Sequence, residues 1–331
     1  MEDQPLITMN LIATGKALPT QAVSAASLDL KLGYRSGRCL QKSGVHTRYF
    51  AADHETQSQL AARALRDALD NAALRASGID LLIGACGIPE QALPGTASFI
   101  SHAAGLSAGT AAFDVNTSCL SFLSALQVAD SLLRAGSYRR IAVVSADLAS
   151  RGLDWDNPEA SLIFGDGAAA AILERGSPAQ GLKAFKLATY PDGRHYCEIR
   201  AGGTQRNPRR GVAEHDFLFD MNGKAVFKLA SKLMPDFIDQ LMAATPGGLG
   251  SIDCVVPHQA SHLGMQHMAK KLGIAADRIV DIYASHGNQV AASLPTALHE
   301  AVSSGRARNG QRVLMIGTAA GLNLGGLVWD L

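Results

Sequence analysis

At 331 residues, 47% of them hydrophobic and 18% charged, the chain carries ample material for a core, in one large domain or two medium ones. Thirty basic against 29 acidic side chains leave a formal charge of +1, which excludes a global field that would recruit nucleic acid or an anionic membrane. The start, MEDQPLITMNLIATG, is acidic with no basic segment ahead of an apolar one, and no run reaches the roughly 18 apolar residues of a membrane span, so a cytoplasmic chain is expected. Five cysteines, Cys39, Cys86, Cys119, Cys197 and Cys254, are odd in number and scattered without CxxC spacing. That pattern argues against a disulfide framework and against a metal site, and reduced thiols are expected.

In chain order, the periodicity of residues 57–76 predicts an amphipathic helix, and 78–83, GIDLLI, reads as a strand buried on both faces. Residues 111–116 are strand-like and 120–134 helix-like, and their join in FDVNTSCLSFLSALQVADSLLRAG places Cys119 at a helix N-terminus. The helix dipole and free backbone N–H groups there favour thiolate over thiol, so a lowered pKa is expected. The competing reading is a buried small hydrophobe. A strand at 139–144 follows, then GDGA, where Asp166 is expected to hold a turn through backbone hydrogen bonds rather than to do chemistry. From about 174 to 220 the pattern breaks into a polar stretch with Arg194, Arg200, Arg206, Arg209 and Arg210. It reads either as a solvated loop or as a lid whose arginines meet a phosphate-bearing ligand.

Residues 225–243 are helix-like, and a strand at 251–256, SIDCVV, ends at Pro257 with His258 next. A helix at 261–272, a polar turn with His286, Gly287 and Asn288, and a strand at 311–316 complete the pattern. Taken alone, His258 reads equally as a satisfied core histidine and Asn288 as a left-handed turn residue.

Two strand segments recur. GIDLLI at 78–83 matches SIDCVV at 251–256, and RRIAVV at 139–144 matches QRVLMI at 311–316, at offsets of 173 and 172 residues. This internal duplication implies two similar α/β halves, residues 1–172 and 173–331, stacked in one compact unit without a linker. Open α/β sheets place ligands at the carboxyl ends of strands, so Cys119, His258 and Asn288 are expected to converge on one pocket.

The chain resembles the thiolase-fold condensing enzymes, and within them the β-ketoacyl-acyl-carrier-protein synthase III family, over nearly its whole length. The matching pieces, in order, are LIATGKALP, KSGVHTRYF, NTSCLSFLSAL, IFGDGAAAAIL, MNGKAVFKLA, PHQAS, HGNQVAASLPTAL and GTAAGLNLGG. The resemblance implies a five-layered αβαβα fold with pseudo-twofold symmetry, assembled as a homodimer through first-half strands and the loop near Leu93. It implies that Cys119 is acylated by an acyl-CoA, that His258 and Asn288 handle the decarboxylating malonyl unit, and that the backbone N–H groups of Cys119 and Ala320 hold the tetrahedral oxyanion. Arg38, Lys42, Met221, Gly223, Phe227 and Ser261 are implied at the CoA entrance, and Lys228, Lys270 and Lys271 as a basic surface for an acidic acyl carrier protein; Arg151, just after a strand, is a candidate for the same rim or for the far carboxylate of a dicarboxylyl primer, with a surface ion pair as the competing reading. The partners implied are thus a second copy, acyl-CoA and the carrier protein; CoA and phosphopantetheine thioesters enter as substrates, and no cofactor or metal is expected.

The chain also departs from the family pattern. Arg38 stands where a Trp usually stacks on adenine, Ser261 where an Asn follows HQA, Leu263 where an Arg is associated with carrier docking, and AAG where GGG is usual. Leu93 takes the place of the partner-supplied gate on the acyl pocket; a relative that joins two acyl chains without losing CO₂ has Glu there, and a side chain smaller than Phe admits a longer primer. The expected function is decarboxylative condensation in a specialised fatty-acid, biotin-precursor or secondary-metabolite pathway. Acyl transfer to an alcohol or amine is the runner-up, opposed by Asn288 because simple transfer forms no enolate. A non-catalytic partner subunit is third, opposed by the presence of Cys, His and Asn together.

Overall fold

The computed structural model describes residues 8–176 and 180–331. The first half runs β1 (Thr8–Ala17), β2 (Gln21–Ser24), α1 (Ala25–Lys31), α2 (Arg38–Ser43), β3 (Thr47–Phe50), α3 (Gln57–Asn71), β4 (Leu81–Gly84), α4 (Thr96–Ala104), β5 (Ala111–Asp114), α5 (Ser121–Ala135), β6 (Arg140–Asp147), α6 (Pro158–Ser161) and β7 (Gly167–Gly176). The second runs β8 (Gly181–Thr189), β9 (Cys197–Glu198), β10 (Asp220–Met221), α7 (Gly223–Met242), β11 (Cys254–Pro257), α8 (His262–Leu272), α9 (Tyr283–His286), α10 (Ser293–Ser303), β12 (Arg312–Ala319) and β13 (Asn323–Asp330).

The strands form two main sheets, ordered β1-β7-β6-β4-β5 and β8-β13-β12-β11. In the first, β4 is parallel to β6 while β6 and β1 are antiparallel to β7; in the second, β11 is parallel to β12 while β12 and β8 are antiparallel to β13. The repeated strand pairs, β4 with β11 and β6 with β12, therefore occupy equivalent central places. A parallel bridge from Val255 to Ile279 stands where β5 pairs with β4. Even the polar entry is duplicated: Asp80 accepts the amide of Arg140 at 2.8 Å, and Asp253 accepts that of Arg312 at 2.8 Å.

Side-chain alternation along these strands assigns the layers. Leu81, Ile83, Ile141 and Val143 of the first sheet, with Val256, Val313, Met315 and Trp329 of the second, pack on α5 and α10 in the middle of the molecule. The opposite faces, Leu82, Ala142 and Val144 in one sheet and Val255, Leu314 and Ile316 in the other, are covered by α3 and α4 and by α7 and α8. Helix, sheet, helix, sheet, helix is the expected five-layered order, and it explains why these strands are apolar on both faces. Gly15 lets β1 lie against α3, since a Cβ there would fall 2.2 Å from Ala68 N.

Some boundaries differ from the sequence reading. The helix expected to reach residue 76 stops at Asn71, because Ala73 turns left-handed (φ 52) and the chain closes a Schellman motif, with Leu74 N to Leu69 O at 2.8 Å and Ala73 N to Asp70 O at 3.0 Å. The division expected at 172/173 falls inside β7, which belongs wholly to the first sheet, so that sheet closes at Gly176. Helix α7 continues through Pro235.

Candidate active site

The sharp turn between β5 and α5 is built by short polar side chains. Asn116 Oδ1 accepts the amide of Ser118 at 2.9 Å, and Ser118 adopts a left-handed backbone (φ 52) that swings Cys119 onto the start of α5. Ser121 Oγ accepts Thr117 N at 2.9 Å and lies 2.7 Å from the Ser118 carbonyl and 3.1 Å from that of Cys86. Residue by residue, this hydroxyl pins the turn to the strand end beside it.

Cys119 keeps some accessible surface and packs with Phe164, Leu162, Val290 and Cys39 in one apolar cluster. The amides of Ala320 and of Cys119 itself are both directed at its sulfur. These are the two donors expected to hold the oxyanion, and they favour the thiolate. The expected depression of the thiol pKa is nevertheless overturned: burial, then the negative field of Asp147, then the neighbouring Cys197, push it up to about 12. Desolvation of a full charge outweighs the helix terminus and two N–H dipoles. Cys119 is therefore a thiol at neutral pH.

His258 follows β11, its amide donating to Ile316 O at 2.8 Å. Gly317 makes room for it: a Cβ there would sit 2.5 Å from His258 Cβ and 3.1 Å from Leu120 Cδ2, so the imidazole packs beside the residue that follows the thiol. Burial lowers the His258 pKa to about 4. The ring is therefore neutral at pH 7. Nδ1 is sealed in protein without a hydrogen-bond partner among the described residues, which leaves Nε2 as the nitrogen available to a substrate.

Asn288 is held at its backbone by Ile163 O at 2.8 Å and Gly165 N at 3.0 Å, next to Phe164 of the Cys119 cluster. Its Oδ1 accepts the amide of Val290 at 2.9 Å. An oxygen committed to a backbone donor turns the NH₂ group the other way, so Asn288 presents donors to the pocket. Cys119 thus sits in the turn after β5 and His258 directly after β11, while Asn288 lies in the loop after α9, beside Phe164 of the Cys119 cluster.

The entrance residues are placed less uniformly. Arg38 stacks over Tyr34, 4.5 Å from the ring centroid, and Lys42, one turn along α2, is exposed. Arg151 is engaged by Asp53 at 3.3 Å and by the Ala52 carbonyl at 2.8 Å, the surface ion pair that competes with a ligand role. Ser261 caps α8, accepting Gly264 N at 3.1 Å. Met221 lies on β10, Gly223 begins α7 with its amide on Glu159 at 3.0 Å, and exposed Phe227 stacks against His267. Lys228, Lys270 and Lys271 are exposed, the last bonded to the Ser231 carbonyl. Of the arginine loop, Arg200 is tied to Glu198 and Asp220, which leaves Arg194, Arg206, Arg209 and Arg210 outside any ion pair among the described residues. Leu93 is 83% exposed.

Asp166 does more than hold its own turn. It is fully buried and accepts Ala51 N at 2.8 Å, Ser150 N at 2.8 Å and Ser150 Oγ at 2.5 Å, joining three segments behind the pocket. Sequence reasoning missed Asp147, another fully buried carboxylate, at the end of β6. The available signal was a lone acid terminating the apolar run IAVVSA. Five cysteines are free, and no group of acidic, Cys or His side chains among the described residues is arranged to hold a metal. No helix among them is long and apolar enough to cross a membrane.

Duplicated αβ halves that bring a thiol at a strand–helix turn to an imidazole and an amide define a thiolase-fold enzyme of the condensing class. Residues 113–191 match the family model described as 3-oxoacyl-[acyl-carrier-protein (ACP)] synthase III, and residues 243–331 match its C-terminal part. The β-ketoacyl-[acyl-carrier-protein] synthase III of Thiobacillus denitrificans is 35% identical over 95% of this chain and 97% of its own, and that of Bartonella bacilliformis 35% identical over 98% and 99%. The crystal structure of 3-oxoacyl-(acyl carrier protein) synthase III from Pseudomonas aeruginosa PAO1 superposes with a TM-score of 0.87 at 28% identity, covering 98% of each chain. The chain belongs to the β-ketoacyl-[acyl-carrier-protein] synthase III family and is a ketosynthase acyltransferase.

Proposed function

We propose that the chain extends an acyl primer by two carbons through decarboxylative condensation with a malonyl thioester, giving a 3-oxoacyl thioester. Cys119 sulfur attacks the acyl-CoA carbonyl, the bond to CoA sulfur breaks, and CoA leaves as its thiol with the cysteine proton. The malonyl thioester then loses CO₂, and its electron pair becomes an enolate whose oxygen meets Nε2–H of neutral His258 and the Asn288 NH₂. The enolate carbon attacks the acyl-cysteine carbonyl. The oxyanion so formed is held by the amides of Cys119 and Ala320 until the C–S bond to Cys119 breaks, releasing product and a Cys119 thiolate that takes a proton from water.

The observation that carries this reading is the orientation of Asn288. With its oxygen bound to Val290 N, it offers a donor, which an enolate needs and a simple acyl transfer does not. Lys42 and the unpaired arginines support binding of CoA by phosphate charge, and Lys228, Lys270 and Lys271 support docking of an acidic carrier protein. The departures at Arg38, Ser261, Leu263 and the AAG turn favour a specialised pathway, with Leu93 admitting a longer primer. A homodimer is supported by the open edge of the first sheet, β5, where Phe113 is 39% exposed beside the exposed Leu93 loop. Free thiols agree with a cytoplasmic setting.

Intact-mass spectrometry after incubation with acetyl-, octanoyl- and dicarboxylyl-CoA, followed by malonyl-CoA or malonyl carrier protein, tests the reading. A stable acyl adduct that is discharged only by the malonyl thioester, with CO₂ released, is expected. Discharge by alcohols or amines instead, or no adduct at all, would leave the acyltransferase or the non-catalytic reading standing.

A further inference from the structure

Asp147 ends β6 with its carboxylate fully buried and no cation paired to it among the described residues. Its Oδ1 accepts the amides of Gly87 at 3.0 Å and Ile88 at 2.9 Å; its Oδ2 accepts Gly87 again at 3.1 Å and Ala291 at 3.0 Å. Two segments remote in sequence thus end on one carboxylate. Each leads directly to a candidate catalytic group.

The first segment carries the Cys86 carbonyl, against which Ser121 Oγ braces the Cys119 turn, and the Gly87 carbonyl, which accepts Asn116 Nδ2 at 3.2 Å. The second carries Val290, whose amide fixes Asn288 Oδ1. Val290 has a left-handed backbone (φ 53), a costly state for a β-branched residue, so this segment does not hold itself in place. The segments also touch: a Cβ on Gly87 would fall 2.5 Å from Val290 Cγ1.

We propose that Asp147 is a positioning residue that locks the Cys119 turn and the Asn288 loop into one frame. Burial pushes its own pKa up to about 7 despite four backbone donors, so the carboxyl is partly ionised at neutral pH. The ionisable groups that feel it are the thiols of Cys119 and Cys86, the latter also facing Asp114. Condensation requires thiol, enolate donors and oxyanion donors each held to within about 0.5 Å of its productive position, and two loops without a shared anchor do not supply that. The inference rests on the proposed roles of Cys119 and Asn288.

The test compares wild type, Asp147→Asn and Asp147→Glu in the full chain. Two rates are measured, acylation by octanoyl-CoA and discharge of the acyl-enzyme by malonyl-CoA. Both variants should lose discharge by about tenfold or more relative to acylation. A discharge-to-acylation ratio equal to wild type in both overturns the proposal. If neither variant folds, hydrogen exchange on wild type decides: the amides of Gly87, Ile88 and Ala291 should be protected as a group, and free exchange at any of them refutes a shared anchor. A wild type that neither acylates nor discharges would instead sink the condensing function itself.

Discussion

Cys119 shows how two effects at one atom are ranked. The helix start and two amides favour its thiolate, yet burial wins and the free thiol is pushed up to about 12. Cys119→Ala should abolish acyl labelling completely, while Cys39, Cys86, Cys197 and Cys254 should never acquire an acyl group; peptide mapping after octanoyl-CoA treatment checks both. His258→Ala and Asn288→Ala should still accept a primer but lose condensation by roughly 10² or more, the scale of losing an oxyanion donor. Equal collapse of both half-reactions would contradict that division. His258 also predicts a pH dependence of stability. Its folded pKa, about 4, lies below the ordinary 6.5, so its neutral form contributes stability that is complete above pH 6.5 and lost as pH falls through 4. Linkage puts that loss at about 3 kcal/mol. His258→Asn should therefore flatten the stability curve between pH 6.5 and 4, measured by urea unfolding at stepped pH.

At the scale of elements, α3 ends on an exposed alanine in a left-handed conformation, where glycine carries no steric penalty. Ala73→Gly should stabilise the protein by about 0.5–1 kcal/mol, seen as a higher Tm; an unchanged or lower Tm would mean that the Schellman closure is not what terminates α3. Helix α2 makes a second prediction. Arg38 and Lys42 are four residues apart and share one face, but the guanidinium is already stacked on Tyr34, so the proposed CoA entrance predicts retention by phosphate charge rather than by a ring on adenine. KM for acyl-CoA should rise with ionic strength, and Lys42→Ala should both raise KM and weaken the salt dependence. Salt-independent KM with strong preference for acetyl-CoA would indicate a housekeeping initiator.

For the whole molecule, the open edge at β5 is the feature to test. A sheet edge with a half-exposed phenylalanine invites pairing with another copy. Light scattering should find the wild type dimeric and Phe113→Asp monomeric, and the monomer should lose its discrimination among primer lengths if Leu93 closes the partner's pocket. A variant that stays dimeric would place the interface elsewhere.

Much of this was legible in the chain alone. The two similar α/β halves followed from the offsets of 173 and 172 residues between apolar strands, because a strand buried on both faces has few side chains to choose from and its duplicate keeps the same pattern, while the five-layered order was implied by the family resemblance. Cys119, His258 and Asn288 were visible because each follows an element boundary marked by turn residues. Tertiary structure alone decided the rest. Whether Cys119 is thiol or thiolate depends on burial and on Asp147, 28 positions away. Which way the Asn288 amide faces depends on one backbone N–H. Arg151, for which an ion pair competed with a ligand role, is engaged by Asp53, and Ser261 is taken up by the cap of α8. Sequence records which groups exist and where elements begin; field, desolvation and prior hydrogen-bond commitments arise between segments that only folding brings together.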